Sequence, residues 1–146
     1  MDLTKHYPRS VKEKMAGVVM IGRATDKGKA KLAGTNGEYN YSCPMDKAVF
    51  GFLGIDAAKY LDVIKHAKSD SEIEAYVAQH AAKKTPHEIE QFNTTFLASG
   101  PEKGSESEQY FLNLRSQVAP DRTDVTAWPD LLDLDEKRDV PRKAAV

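Results

Sequence analysis

Apolar residues recur every three to four positions through most of this chain, and the recurrence predicts a row of short amphipathic helices. Residues 56–67 set Ala57, Tyr60, Leu61 and Ile64 on one stripe, and residues 70–82 do the same with Ile73, Tyr76, Val77 and His80. Further stripes run over 86–98 (Ile89, Phe92, Phe96, Leu97) and 106–118 (Tyr110, Phe111, Leu114, Val118). A shorter helix over 44–53 carries Val49, Phe50 and Leu53 and stops at Gly54. Residues 10–33 are helical in composition, but Gly17 and Gly22 divide them into two pieces. The stretch "GVVMIG" at 17–22 also reads as a buried strand; with no alternating partner strand in the chain, helix is the expectation.

The polar residues between these stripes punctuate them. Ser10 with Glu13, Ser69 with Glu72, Thr85 with Glu88 and Ser105 with Glu108 all have the spacing of a reciprocal helix N-cap. Pro86 after Thr85 fits the first helical position, where its missing N–H loses nothing. Residues 34–42, "GTNGEYNYS", read as an ordered loop, and residues 119–146 as an irregular tail whose middle packs and whose end frays. The expected fold is mainly α: a compact single domain spanning 1–146, with about six to seven short helices and flexible ends at 1–8 and 137–146.

Composition narrows the function. A chain of 146 residues with 40% hydrophobic and 29% charged content is an ordinary globular one, long enough for one core. The formal charge of −1 removes the usual electrostatic basis for holding a polyanion, so nucleic acid is not an expected partner. The longest apolar run, "VVMI" at 18–21, is far too short for a membrane span. A single cysteine allows no internal disulfide, and the first ten residues lack the apolar core of a secretion signal; both point to the cytoplasm.

Candidate chemistry centres on that cysteine. With Pro44 at the first helical position and Asp46 at the third, Cys43 falls at an N-cap, where free amides and the helix dipole favour a negatively charged sulfur. The same residue type is as much at home filling space as a small hydrophobe, and Asp46 opposes a charge on it. Tyr39 and Tyr41 precede it; in an extended loop their hydroxyls share one side and can donate to an anion. Arg23, Asp26 and Lys27 lie at i, i+3 and i+4 of one helix. Turned inward, Arg23 is a fork for a carboxylate or phosphate; turned outward, which the usual burial of these residue types favours, the three are a solvated surface cluster. Asp124 and Trp128 in the tail can close over a cavity, Trp as a flat wall with one donor. The acidic run Asp130, Asp133, Asp135 and Glu136 lacks the spacing and the glycine of a calcium loop. The four histidines show no metal-binding pair: His80 reads as a hydrogen-bonded core residue and His87 as solvent-facing, so no metal site is expected. Glycine-rich nucleotide loops and the serine-hydrolase elbow are missing too, and no cofactor is implied.

Five stretches together resemble a known family. "PRS" at 8–10, "DKGKAKLAGTNGEYNYSCPMDKAVFGFLGIDA" at 26–57, "SDSEIEAYV" at 69–77, "KTPHEIEQFN" at 84–93 and "DRTDVTAWPDLLDLDE" at 121–136 are similar to the bacterial family catalogued as domain of unknown function 5069. The resemblance implies a compact, mainly helical cytosolic protein and no particular reaction. It marks Arg9, Asp26, Lys27, Gly34, Gly37, Tyr39, Tyr41, Cys43, Pro44, Asp46, Asp124 and Trp128 as signature positions; an aromatic residue usually follows the tryptophan, where this chain has Pro129.

Three functions follow. The first is a small-molecule binder or small enzyme for a polar or anionic ligand: Cys43 is nucleophile or thiol ligand, Asp46 or Asp26 handles protons, Arg23 and Lys27 orient the anion, and Tyr39, Tyr41, Asp124 and Trp128 complete the pocket. The second is a non-catalytic interaction module in which the same residues hold loop and tail in place. The third, a helix-turn-helix reader of DNA over 56–82, is disfavoured by the charge.

Overall fold

The computed structural model describes residues 1–143, and it is all-α, with seven helices and no strand among the described residues. They are α1 (Ile21–Ala33), α2 (Pro44–Leu53), α3 (Ala57–His66), α4 (Asp70–Ala81), α5 (Pro86–Leu97), α6 (Glu106–Val118) and α7 (Trp128–Asp135). The chain divides into two compact units, Met1–Thr94 and Thr95–Val146, the division falling in the last turn of α5. None of the described helices is long and apolar enough to cross a membrane.

In the first unit α1 packs against α2 and α3, and α2 meets α4. Val18, Val19, Ile21, Ala24, Val49 and Val77 are buried, and with them Tyr60 is wholly removed from solvent. Each of the valines and Ile21 contributes about 1.5–3 kcal/mol through burial. An aromatic row runs through the unit: Tyr41 to Phe50, Phe50 to Tyr60, Tyr60 to Tyr76 and Tyr76 to His80, with ring centroids 5.8, 5.7, 5.8 and 4.6 Å apart. The His80 ring also bonds the Tyr76 carbonyl at 2.9 Å, as its place on an apolar stripe suggests. His87 is exposed.

Local capping follows the predicted reciprocal pattern in full at Thr85 and in part at Ser105. Thr85 and Glu88 form the reciprocal cap: Glu88 N–H donates to Thr85 Oγ1 at 3.1 Å, and Thr85 N–H to Glu88 Oε1 at 3.0 Å. Ser105 Oγ accepts from Glu108 N–H at 3.1 Å. Ser69 does not cap through its side chain; Glu72 instead accepts from Lys68 N–H at 2.9 Å.

Residues 10–33 depart from expectation in their first half. Only Ile21–Ala33 is helical, and residues 10–20 are turns closed by a bridge between Met15 and Val18. Ala16, Gly17 and Met20 all have positive φ, at 52°, 81° and 70°, a backbone region no helix contains. The Ser10–Glu13 pair therefore staples a turn, with Ser10 N–H donating to Glu13 Oε2 at 3.2 Å. Two backbone groups that this irregular segment leaves outside any helix are satisfied by Asn93 of α5, whose Oδ1 accepts from the buried Val19 N–H at 3.1 Å while Nδ2 donates to the Gly17 carbonyl at 2.9 Å. Gly22 does not break α1; a Cβ there would lie 3.2 Å from the Arg9 guanidinium carbon.

The second unit holds the tail, and it is not wholly irregular: α7 occupies Trp128–Asp135. Pro129 sits in its first turn, where no intrahelical hydrogen bond is lost. Phe111 of α6, Val125 and Leu131 form a small core, with Leu114, Trp128 and Leu134 against it. Arg122 donates to the Val140 carbonyl at 2.9 Å, holding the chain beyond α7. Residues 144–146, part of the end expected to fray, lie outside the described residues.

Candidate functional site

The charged face of α1 turns inward, against the outward arrangement that residue type alone favours. Arg23, Asp26 and Lys27 are 4%, 2% and 5% exposed. Burial of three charges in one turn is tolerable only if each is neutralised or fully hydrogen-bonded, and each has its own partner from another part of the chain. Asp26 accepts from Arg9 three times: from its backbone N–H at 2.8 Å, and from Nε and Nη2 at 3.1 Å each, a two-pronged fork. Arg23 donates Nη1 to the Arg9 carbonyl at 3.2 Å and lies 5.6 Å from the Tyr39 ring centre. Lys27, one turn further on, donates Nζ to Asp46 Oδ2 at 2.8 Å and to Cys43 Sγ at 3.1 Å.

Cys43 occupies the N-cap of α2, as its position before Pro44 predicts. Asp46 Oδ2 accepts from the Cys43 backbone N–H at 3.1 Å, so one oxygen caps the helix and holds Lys27 together. The Asp46 side chain is wholly buried, and its Oδ1 has no hydrogen-bond partner among the described residues. Cys43 itself is half-buried. The result is a thiol on a half-buried residue, backed by a buried ammonium at bonding distance, which a buried carboxylate balances. A negative charge that develops on the sulfur, or on a group seated against it, faces a cation 3.1 Å away.

The two tyrosines do not work as a pair. Tight turns at 37–38 and 41–42, with Ser42 at φ 67°, replace the extended loop that would align them. Tyr41 donates its hydroxyl to the Ala57 carbonyl at 2.7 Å and packs its ring on Gly28, where a Cβ would come 3.2 Å from Tyr41 Cε1. Burial pushes the Tyr41 phenol well above its ordinary pKa. Tyr39 instead lines a cavity of about 420 Å³ together with Lys5, His6, Tyr7 and Glu38. Another cavity, about 290 Å³, has Arg9, Thr25, Asp26, Lys29 and Asp70 among its walls. Cys43 lines neither; α1 connects it to the first, through Arg23 on Tyr39 and Lys27 on Cys43.

Asp124 and Trp128 belong to the second unit. Asp124 takes a two-pronged bond from Arg122 at 3.0 and 3.1 Å and a third from Lys143 N–H at 3.1 Å. These bonds, the Arg122 side chain first, hold its carboxyl well below the usual carboxylate range. Trp128 packs edge-on against Phe111 at 4.9 Å between ring centres.

Sequence reasoning about the site missed Arg9 as the partner of Asp26, and the buried pair Thr25–Tyr60, whose hydroxyls lie 2.6 Å apart. Thr25 also bonds the Ile21 carbonyl at 2.6 Å, and burial pushes Tyr60 up to about 12 against the opposing effect of that Thr25 bond. The one signal for Arg9 was its place in "PRS" among the family-like stretches; Thr25 and Tyr60 carry no local signal beyond an apolar stripe. No curated protein matches the chain. A family model does, over residues 5–138, nearly the full length, and the chain belongs to the family described as Domain of unknown function (DUF5069).

Proposed function

We propose that the protein is a small-molecule-binding domain or small enzyme that takes a polar or anionic ligand at Cys43, within the cytoplasm. The observation that carries this is the half-buried sulfur with the Lys27 ammonium 3.1 Å behind it and Asp46 2.8 Å behind that. In catalysis Cys43 is the nucleophile or thiol ligand, Lys27 stabilises charge on the bound anion, and Asp46 is the proton acceptor nearest to Lys27. Asp26 is a weaker candidate for proton handling, because three Arg9 donors already occupy its oxygens. The cavity at Tyr39, which Cys43 does not line, is of the size small ligands occupy, roughly 300–1,000 Å³, and Lys5 brings a cation to its wall.

A second reading is a non-catalytic interaction module. What favours it is the degree to which the buried polar groups satisfy one another: Asp26 by Arg9, Arg23 by the Arg9 carbonyl, Tyr41 by Ala57.

Alkylation of Cys43 separates the two. Iodoacetate, an anion, and neutral iodoacetamide are each reacted with the folded and with the urea-unfolded protein. The anion-site reading expects the ratio of iodoacetate to iodoacetamide rates to be several-fold higher in the folded protein, and the excess to vanish in Lys27→Met. No labelling until the chain unfolds favours the module and overturns the reactive thiol.

A further inference from the structure

Binding an anion at Cys43 uses the charge of Lys27 but makes no use of the bond its nitrogen could form with the Cys43 sulfur. Lys27 Nζ stands 3.1 Å from Cys43 Sγ, and its side chain is only 6% exposed, so a buried amine is held against the sulfur of a half-buried cysteine. To the same nitrogen Asp46 offers one oxygen already bonded at 2.8 Å, and its second oxygen is buried and without a partner among the described residues. An orphan acceptor in a wholly buried carboxylate is a standing cost, and a proton arriving at this carboxyl neutralises the charge where it is least solvated.

We infer that Cys43 and Lys27 close into a reversible sulfur–nitrogen cross-link when a peroxide oxidises the thiol. In the first step hydrogen peroxide transfers one oxygen to sulfur: the O–O bond breaks, an S–O bond forms, the thiol becomes a sulfenic acid, and the second peroxide oxygen leaves as water. The sulfur loses two electrons and the peroxide gains them. In the second step the ammonium gives one proton to the Asp46 carboxylate, the freed amine lone pair attacks sulfur, and an S–N bond replaces the S–O bond. The departing hydroxide takes a second hydrogen from nitrogen and leaves as water, so one hydrogen stays on nitrogen, one is in the water and one is on Asp46. The buried cation and the buried anion disappear together, which leaves neither unpaired. Proximity sets the outcome: an amine fixed at 3.1 Å competes with a second peroxide arriving from dilute solution, and well-oriented intramolecular reactions reach effective molarities on the order of 10⁵ M or more. A thiol reductant cleaves the S–N bond by attack at sulfur, returning the lysine amine at once and the cysteine after a second exchange. The link ties α1 to the start of α2 and removes the charge that receives an anion, so peroxide turns the proposed site off. The inference rests on Cys43 being a reachable thiol, and on no particular ligand.

The test is peptide mapping of the full chain. Folded protein is treated with hydrogen peroxide, its remaining thiol is blocked with iodoacetamide, and tryptic peptides are weighed with and without prior dithiothreitol. The expected product is residues 24–29 joined to residues 32–47, uncut after Lys27, with a mass two hydrogens below the sum of the two peptides, and lost after dithiothreitol. Lys27→Arg, checked for folding by circular dichroism, should yield oxygen adducts on Cys43 and no joined peptide; the wild-type result stands whether or not that variant folds. Cys43 carrying one to three oxygens while trypsin still cuts after Lys27, or a thiol left free by peroxide, overturns the cross-link. Oxygen adducts alongside fast alkylation would do so while sparing the anion site, and absence of alkylation in the folded state would remove the anion site itself.

Discussion

Replacing Lys27 by methionine is the sharpest perturbation of the cluster. Methionine keeps most of the length and apolar volume of the lysine stem, so the change is close to deletion of one charge. It leaves the Asp46 carboxylate fully buried, with the Cys43 N–H still donating to it at 3.1 Å. Breaking a buried ion pair from one side destabilises by about 3–5 kcal/mol, a large part of the roughly 5–15 kcal/mol that holds a domain folded. In urea, followed by far-ultraviolet circular dichroism, a slope of about 2 kcal/mol per molar turns that loss into a drop of about 2 M in the midpoint. Adding Asp46→Asn should recover part of it, because the amide is uncharged and its oxygen still accepts from Cys43 N–H. A loss under about 1 kcal/mol in Lys27→Met, or a double variant no more stable than the single one, refutes the claim that a buried charge pair holds this site together.

Three further outcomes follow from the same geometry. Tyr60 titrates at about 12 when folded, against about 10 unfolded, so the folded state keeps a proton that the unfolded state loses. That stability is fully present below pH 10 and is lost as pH rises from about 10 to 12, roughly 3 kcal/mol in all, with Tyr41 acting in the same direction; a urea midpoint flat from pH 8 to 12 would contradict it. Gly28→Ala gains about 1 kcal/mol of helix propensity but puts a Cβ 3.0 Å from Ile64 Cδ1 and 3.2 Å from a Tyr41 ring pinned through its hydroxyl, so the net effect in urea is a loss of about 1–2 kcal/mol. Gly100→Ala sets a Cβ well inside contact distance of the Thr126 carbonyl oxygen, which is backbone and cannot swing aside; thermal unfolding should shift down by several degrees, and an unchanged midpoint would show that the segment relaxes freely.

What the sequence made legible was mostly local. The Thr85–Glu88 cap, the stop at Gly54 and the placement of Cys43 at the start of α2 depend on residues within four positions of one another, and all three are found. Residues 10–20 misled because their helical composition says nothing of Ala16 and Met20 adopting left-handed backbone, which Asn93, more than 70 positions away, helps to hold. The tail hid α7 because Pro129 reads as a break unless it is placed in a first turn. For the candidate site the difficulty was the same in kind. Whether Arg23, Asp26 and Lys27 face inward depends on the Arg9 fork and the Asp46 carboxylate, and no spacing within "GRATDKGKAK" encodes either.

Because the buried charges on α1 are answered from outside the helix, by Arg9 before it and Asp46 after it, the helix has no complete native surroundings while it is being made. Arg9 precedes it, but Tyr39, Cys43, Asp46 and Tyr60 are all translated after it, and two glycines in thirteen residues leave little intrinsic reason to coil. At the ribosome α1 lacks these partners until the segment through Tyr60 has emerged, so the exposed chain must extend nearly thirty residues past the helix's own end before its contacts are complete.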